Sequence, residues 1–328
     1  MITTRILSTG IYSPPFTLTD KKIEEMYGKE TRDWMVEKLG IYVKKISESW
    51  EGASDLAKKA GEEALKNGNL SPLDIDLLIV ATDTPDFFSP ATSSIVQAKL
   101  GLKNAATFDV NCACAAFVTA LDIATRYLLT EEKMKRAMVI GTYAMTKFLN
   151  WDDKITAPMF SDGAGAVILE KIESQEKGFI SSKLFADGTY WDYLGLYLGS
   201  QAVPTPEYIR TGRHFVRYNK KYPDVNFEMW PKLIKEVVEK GGYKVEDINF
   251  LLFTQVRRVT IEDVMKVLNL PLEKTHMVMD KFGYTGSACI PMALHDALMN
   301  NKIKKGDLVV MCASGGGYAM AVYFMRWL

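Results

Sequence analysis

An internal repeat of helix and strand patterns constrains this 328-residue chain more than any other feature. In each half, a segment of helical period precedes an apolar run, and a further apolar run follows later in the same order. The matched segments are KKAGEEALKNG–DIDLLIVATDT with KLIKEVVEKGG–EDINFLLFTQV, and KRAMVIGTYA with KGDLVVMCAS. Self-similarity in a fixed order indicates two copies of one supersecondary unit. We therefore predict two α/β halves, at residues 1–172 and 173–328.

Short apolar runs rich in Val and Ile alternate along the chain with longer segments of helical period, which predicts an α/β fold. The predicted strands are Leu77–Ala81, 107–110, 137–141, 164–170, 248–254, 307–312 and 319–325. The predicted helices are Ala53–Asn67, 93–100, 115–130, 227–240, 261–268 and 292–300.

The charge balance and the cysteine count disfavour several classes of protein. Lys and Arg together number 40, and so do Asp and Glu, so no net charge favours nucleic acid or a membrane surface. The N-terminal sequence does not resemble a secretion signal, and we expect no apolar stretch long enough to span a membrane. Four cysteines in a chain of this length predict no disulfide framework but free thiols in the reducing cytoplasm.

The segment FDVNCACAAFVTALDIATRYLL contains the candidate nucleophile. A short strand leads through small residues into an apolar helix beginning at Ala115, which we expect to be buried. Cys114 would then stand at the helix N-terminus, where the backbone dipole favours a thiolate. The alternative is that Cys112 and Cys114 are two small buried hydrophobic residues. The CxC spacing lacks a second Cys/His pair, so we predict no metal site.

The stretch TFDVNCACAAF resembles the active-site segment AFDVAAACAGF of the β-ketoacyl-acyl-carrier-protein synthase III family, with Cys114 at the nucleophile. Further stretches resemble family segments in the same order along the chain. They are RDWMVEKLGIYVKKI, DLLIVATDTPDFFSPATSSIVQAKLGL, FSDGAGAVIL, ADGTYWD and CASGGGYAMAVYFMRW. The resemblance implies a five-layered αβαβα thiolase fold, two pseudo-symmetric halves, a dimer, and a role in fatty acid or polyketide biosynthesis. It also implies a coenzyme A or acyl-carrier-protein thioester as substrate, without a further cofactor.

The second half departs from the family where condensing enzymes carry a His in P-H-Q-A-N and an Asn in H-G-N-T-S. The corresponding stretches here are FTQVRR and FGYTGS, so Thr254 replaces the His and Tyr284 replaces the Asn. Phe282 replaces the His of the second motif. One oxyanion donor contributes roughly 10²–10³ in rate, so the loss of both residues predicts poor decarboxylative condensation.

Acyl transfer to Cys114 needs fewer groups, and the resemblance implies most of them. The backbone amides of Cys114 and Gly316 match the family's oxyanion hole. The residues that match coenzyme A or carrier-protein contacts, or lie near the expected tunnel mouth, are Trp34, Lys38, Lys154, Arg257 and Arg258. The residues that match the acyl pocket, partly across the dimer interface, are Phe87, Phe88 and Ser89.

Asp83 precedes Cys114 at a spacing similar to that of the general-acid Glu in the related 3-hydroxy-3-methylglutaryl-CoA synthases. A buried carboxyl beside a cysteine can act as an acid or base. We expect an acyltransferase in which Cys114 accepts an acyl group and passes it to an acceptor without the His/Asn pair. Two alternatives stay open. One is a catalytically impaired partner subunit in a heterodimeric synthase, and the other is a hydroxymethylglutaryl-CoA-synthase-like Claisen enzyme that uses Asp83.

Overall fold

The computed structural model describes residues 1–221 and 223–328 of the chain. Its strands are β1 (Ile2–Tyr12), β2 (Phe16–Thr19), β3 (Val43–Ile46), β4 (Leu77–Ala81), β5 (Ala106–Val110), β6 (Arg136–Tyr143), β7 (Gly163–Glu173), β8 (Phe179–Ala186), β9 (Leu194–Gly195), β10 (Arg217–Tyr218), β11 (Phe250–Phe253), β12 (Leu308–Gly315) and β13 (Ala319–Arg326). Its α-helices are α1 (Asp20–Tyr27), α2 (Lys29–Trp34), α3 (Ala53–Asn67), α4 (Thr92–Leu100), α5 (Ala116–Thr130), α6 (Thr156–Met159), α7 (Pro206–Arg210), α8 (Val225–Lys240), α9 (Arg258–Val267), α10 (Met279–Phe282) and α11 (Cys289–Met299). Each predicted helix and strand coincides with one of these elements, and α3 and β4 match residue for residue.

Two sheets with the same strand order form the core of the molecule. The five-stranded sheet has the order β1-β7-β6-β4-β5, and the four-stranded sheet has the order β8-β13-β12-β11. In both sheets the strands at equivalent positions pair in the same sense, with parallel pairs β4–β6 and β11–β12. A parallel bridge between Leu251 and Thr275 occupies the place at which β5 pairs with β4. The recurrence confirms the two pseudo-symmetric halves, while the boundary at residue 172 stays a prediction and falls at the end of β7.

Helices cover both faces of each sheet and create five layers. The central helices α5 and α11 contact strands of both sheets, α3 and α4 cover the outer face of the first sheet, and α8, with α9 beside it, covers the second. A helix buried between two sheets must be apolar on nearly all sides, which explains the composition of α5. This arrangement is the αβαβα fold that the resemblance implies.

The expectation that no apolar stretch is long enough to span a membrane is wrong for the segment that contains α5. Residues 113–130 pass that test by length and composition. Ten of the fifteen residues of α5 are buried, and the helix lies against β4 and β6 on one side and β12 and β13 on the other. Its apolar character therefore follows from its place in the core.

The two halves meet closely at the end of β6. A Cβ atom on Gly141 would stand 2.3 Å from the carbonyl oxygen of Ser287, which belongs to the second half. The Ser287 hydroxyl donates a hydrogen bond of 2.8 Å to the carbonyl of Thr142. The backbone of β6 therefore leaves no room for a side chain at residue 141, and the contact fixes the segment that contains Tyr284.

We predict that Gly141→Ala lowers the free energy of unfolding by about 1–3 kcal/mol, because the added methyl group forces two backbones apart. Urea denaturation provides the measurement. Gly188→Ala is the matched control, since a Cβ there meets nothing within 4 Å, and we expect a change within about 0.5 kcal/mol. Equal midpoints for the wild type and Gly141→Ala would contradict this packing.

Candidate active site

Cys114 lies in a tight turn between β5 and α5. Ala113 has φ of 47°, in the left-handed region that residues with a side chain rarely adopt. The side chain of Asn111 accepts a hydrogen bond of 3.0 Å from the Ala113 amide, which stabilises this conformation. Helix α5 begins at Ala116 with Ala115 as its N-cap, so Cys114 precedes the helix instead of standing on its first turn.

A cavity of 1330 Å³ opens at the sulfur of Cys114. Several of the predicted site residues line it although they come from distant parts of the chain. The lining includes Asp83, Cys114, Thr254, Tyr284 and Gly316, together with Trp34, Lys154 and Arg257. The fold thus places Cys114, Asp83, Gly316 and the two substituted residues, Thr254 and Tyr284, around one cavity.

The glycine turn after β12, at residues 315–317, lies against the backbone of the turn that contains Cys114. A Cβ atom on Gly315 would stand 2.3 Å from the carbonyl oxygen of Cys112 and 2.9 Å from the amide nitrogen of Cys114. Only glycine permits this approach, and it sets the next residue, Gly316, at the cavity wall beside the sulfur. The two amides expected to form an oxyanion hole therefore belong to backbones in direct contact.

The Thr254 hydroxyl does not point freely into the cavity. It accepts a hydrogen bond of 2.9 Å from the Ser314 amide and lies 3.4 Å from the Ser314 carbonyl oxygen, to which it donates. Thr254 is only 1% exposed. The hydroxyl of Thr254 therefore holds the strand end that leads into the glycine turn.

Tyr284 lines the cavity beside Cys114, and a side-chain interaction joins its hydroxyl to the cysteine. Burial raises the pKa of the Cys114 thiol well above its usual value, the charge of Asp83 raises that pKa further, and the Tyr284 hydrogen bond lowers it. This corrects the expectation of a resting thiolate. Cys114 is a neutral thiol at pH 7, so it needs a base when it attacks.

Asp83 follows the end of β4 and faces the cavity. Burial raises the pKa of its carboxyl to about 6, against a hydrogen bond from its own backbone amide that lowers it. Its Oδ1 atom is enclosed and has no hydrogen-bond partner among the residues that the structure describes. Asp83 is therefore a carboxylate at neutral pH, close enough to Cys114 for its charge to act on the thiol.

Tyr143 is a member of the site that the sequence patterns do not predict. It ends β6, lines the cavity, and has a ring that fills the space which Gly286 leaves open. Burial raises the pKa of its hydroxyl well above 10, and the charges of Asp83 and Cys114 raise it further. The available signal was topological: β4 and β6 are parallel neighbours, so the residues at their carboxyl ends, Asp83 and Tyr143, meet at one edge.

Some predicted binding residues lie outside the cavity. Lys38 is exposed, and Arg258 donates to the carbonyl of Glu37 at 2.9 Å; neither lines the cavity among the described residues. Phe87, Phe88 and Ser89 are exposed and likewise do not line the cavity of their own chain. The acyl-pocket role of this triplet, partly across a dimer interface, stays a prediction.

Histidine does not contribute to the cavity wall in the described part of the chain. His276 lies 2.6 Å from the Asp296 carboxylate, and His295 lies 2.9 Å from the Thr9 hydroxyl. No cluster of three or more potential metal ligands occurs among the described residues. The chemistry of the cavity thus depends on a thiol, a carboxylate, phenols and backbone amides.

Comparisons with known proteins agree with the resemblance. Residues 108–188 match the family model of 3-oxoacyl-[acyl-carrier-protein] synthase III, and residues 238–327 match the model of its C-terminal part. The β-ketoacyl-[acyl-carrier-protein] synthase III of Caldanaerobacter subterraneus subsp. tengcongensis is 36% identical over 98% of this chain and 97% of its own length. The crystal structure of the Aquifex aeolicus enzyme has a TM-score of 0.88 at 32% identity, over 99% of this chain and 100% of that one.

A more distant structure extends the likeness to polyketide biosynthesis. The priming β-ketosynthase of the R1128 polyketide pathway has a TM-score of 0.89 at 25% identity, over 99% of this chain and 96% of its own. Full-length similarity at these levels leaves no part of the fold unmatched. The chain therefore belongs to the β-ketoacyl-[acyl-carrier-protein] synthase III family of acyltransferases.

Proposed function

We propose that the protein forms an acyl thioester on Cys114 from an acyl-CoA or an acyl carrier protein and passes the acyl group to an acceptor. The observation that carries this proposal is the arrangement at the sulfur. Cys114 lines a large cavity, Tyr284 lies beside it, and the glycine turn lies against its backbone. These groups are the ones that acyl transfer to a cysteine requires.

In the acylation step, the Cys114 sulfur attacks the carbonyl carbon of the incoming thioester while Asp83 takes the thiol proton. The amides of Cys114 and Gly316 bind the oxyanion of the tetrahedral intermediate. The bond from the carbonyl carbon to the leaving sulfur then breaks, and the leaving thiolate receives the proton from Asp83. The step uses no histidine.

Aromatic and cationic residues at the outer part of the cavity support a coenzyme A or carrier-protein thioester as the acyl donor. Trp34 offers an aromatic face for adenine, and Lys154 is an exposed cation for phosphate. Arg257 lies at the same wall and forms a 2.9 Å ion pair with Asp224. The acyl-carrier-protein enzymes among the relatives handle such thioesters, as their names state.

Decarboxylative condensation with a malonyl thioester is the reaction that this site supports least. The family's His and Asn are absent, and the Thr254 hydroxyl is already bonded to Ser314. A second candidate function is a non-decarboxylative Claisen condensation, in which Asp83 removes a proton from carbon. The unpaired Oδ1 of Asp83 beside the nucleophile favours keeping this candidate.

A dimer is also part of the proposal. Phe87 and Phe88 are 60% and 75% exposed on one loop, and a second subunit would remove them from water. A homodimer is the simpler assembly, and a heterodimer with a histidine-containing homologue would correspond to the partner-subunit alternative. The cytoplasm stays the predicted compartment, since a reactive thiol needs reducing surroundings.

We predict that incubation with a panel of acyl-CoAs and acyl carrier proteins adds one acyl mass to the wild-type protein. Cys114→Ala should carry no adduct, and Cys112→Ala should label as the wild type does, because only Cys114 lines the cavity of the two. Intact-mass spectrometry with peptide mapping measures the outcome. A wild type that stays unlabelled by every thioester, or an adduct on Cys112, would refute the proposal.

We predict that Asp83→Asn slows acylation by about 10²–10⁴ and removes its dependence on pH near 6. Wild-type acylation should fall below pH 6, where the carboxyl is protonated and cannot accept the thiol proton. Single-turnover acylation from pH 5 to 8 provides the measurement. The matched control is Asp86→Asn, in the same loop but outside the cavity, where Oδ1 accepts from the Ser54 amide at 3.0 Å. An unchanged pH profile in Asp83→Asn would contradict the role of this carboxylate.

The same variant should be more stable than the wild type at pH 8. The pKa of Asp83 is higher in the folded protein than in the unfolded chain, so its charge destabilises the fold above about pH 4. We expect the Tm of Asp83→Asn to exceed that of the wild type at pH 8, with a difference that shrinks toward pH 4. A lower Tm at pH 8 would indicate that the carboxylate is mainly structural.

We predict that Thr254→Val lowers the acylation rate about tenfold or more, whereas Thr254→Ser retains it. Valine keeps the shape of threonine but leaves the Ser314 amide without its acceptor, and a buried unpaired donor costs about 1–3 kcal/mol. The turn that presents Gly316 should then relax. Equal acylation rates in the two variants would argue against Thr254 as a positioning residue.

A further inference from the structure

We propose that the acceptor is a protic nucleophile, an alcohol or an amine, which binds with its O–H or N–H bond directed at Asp83. This inference rests on the proposed acylation of Cys114 and names the class of its second substrate. Its starting point is Asp83, a carboxylate that lines the cavity with Cys114 and accepts no hydrogen bond from another of the described residues.

The residues around Asp83 do not supply the missing donor. The hydroxyls of Thr82 and Thr84 lie 3.2 Å from each other, and Thr84 Oγ1 accepts from the Ala144 amide at 2.9 Å. No basic side chain among the described residues forms an ion pair with Asp83, although eighteen such pairs occur elsewhere. Buried polar atoms are almost always paired in native proteins. Because Asp83 lines the cavity, a bound substrate can supply the donor that the surrounding residues do not provide.

Charge selects among the possible acceptors. A malonyl thioester would bring its carboxylate toward the Asp83 carboxylate, and like charges in a buried site repel strongly. The basic residues that line the cavity, Lys154, Lys220, Lys221 and Arg257, lie toward solvent, and two of them are already paired with Asp192 or Asp224. An alcohol or an amine introduces no negative charge and provides a hydrogen for the Asp83 carboxylate to accept.

The dimensions of the cavity permit such a reaction. Sites for small ligands typically measure about 300–1,000 Å³, and this cavity measures 1330 Å³ in one subunit. An acyl group on Cys114 leaves room for a second molecule. Tyr143 and Tyr284 lie on the same inner wall and keep their protons, because burial raises the pKa of both hydroxyls.

The transfer step balances without an oxidant or a further reactant. The oxygen or nitrogen of the acceptor attacks the carbonyl carbon of acyl-Cys114, and its proton moves to Asp83. The carbon–sulfur bond breaks, Tyr284 donates a hydrogen bond to the departing sulfur, and Asp83 returns the proton to it. An ester or amide leaves, and Cys114 is again a thiol.

The test separates the two half-reactions. The wild-type acyl-enzyme is formed with an acyl-CoA, freed of excess donor by gel filtration, and divided among propan-1-ol, propan-1-amine, malonyl-CoA and buffer. Intact mass follows loss of the adduct, and product mass distinguishes the ester from the amide. We expect at least one protic acceptor to discharge the adduct tenfold or more faster than buffer, and malonyl-CoA to leave the adduct in place.

Two variants make the result specific to Asp83. The Asp83→Asn acyl-enzyme, accumulated by longer incubation, should lose the acceleration by the protic acceptor, while Asp86→Asn should keep it. Discharge by malonyl-CoA faster than by either protic compound would overturn the inference, as would an adduct that alcohol and amine do not discharge faster than buffer. Failure to form any adduct would overturn the proposed function, and this inference with it.

Discussion

The close approach of the Gly315 turn to the backbone of Cys112 and Cys114 is the contact on which the site depends. It joins the end of β12 in the second half to the turn after β5 in the first half, at a distance that excludes even a methyl group. The two sheets lie on opposite sides of α5, so the turn at its N-terminus is where both halves can reach the nucleophile. The duplicated fold therefore brings one segment of each copy together at Cys114, where we propose the oxyanion site.

Tyr284 is held by a second set of contacts between the halves. The Ser161 amide donates to the Tyr284 carbonyl at 2.8 Å, and the rings of Phe160 and Tyr284 lie 5.7 Å apart. Lys44 is fully buried and donates to the carbonyl oxygens of Ala157 and Phe160. Burial lowers the pKa of Lys44 to about 7, against the charge of Asp162 that raises it. A costly buried amine thus fixes the segment that packs against Tyr284.

The sequence reveals the parts of this protein that depend on local pattern. Strand β4 and helix α3 can be predicted because apolar residues recur with the period of each element. Cys114 can be recognised because small residues surround it between a strand and an apolar helix. Strand β1 is not predicted, since buried positions in it carry Thr3 and Thr9. Features that depend on contacts between distant parts of the chain cannot be predicted from local sequence patterns. Whether a hydroxyl at residue 254 faces substrate or backbone depends on Ser314, which lies 60 residues away in the sequence.

The substitutions at residues 254 and 284 separate two functions that the fold usually combines. Groups for acylation come from the turn around Cys114 and from Gly316, and these are intact. The family's His and Asn come from other segments, and here their places are taken by Thr254, which is hydrogen-bonded to the backbone of Ser314, and by Tyr284, which lies beside Cys114. The desolvated carboxylate of Asp83, in the same cavity and without a cationic partner among the described residues, destabilises the fold at neutral pH, and such a group persists where function requires it. In the proposed reaction, the charge of Asp83 would therefore select the acceptor, while the backbone contacts at Cys114 and Gly315 would serve the acylation step.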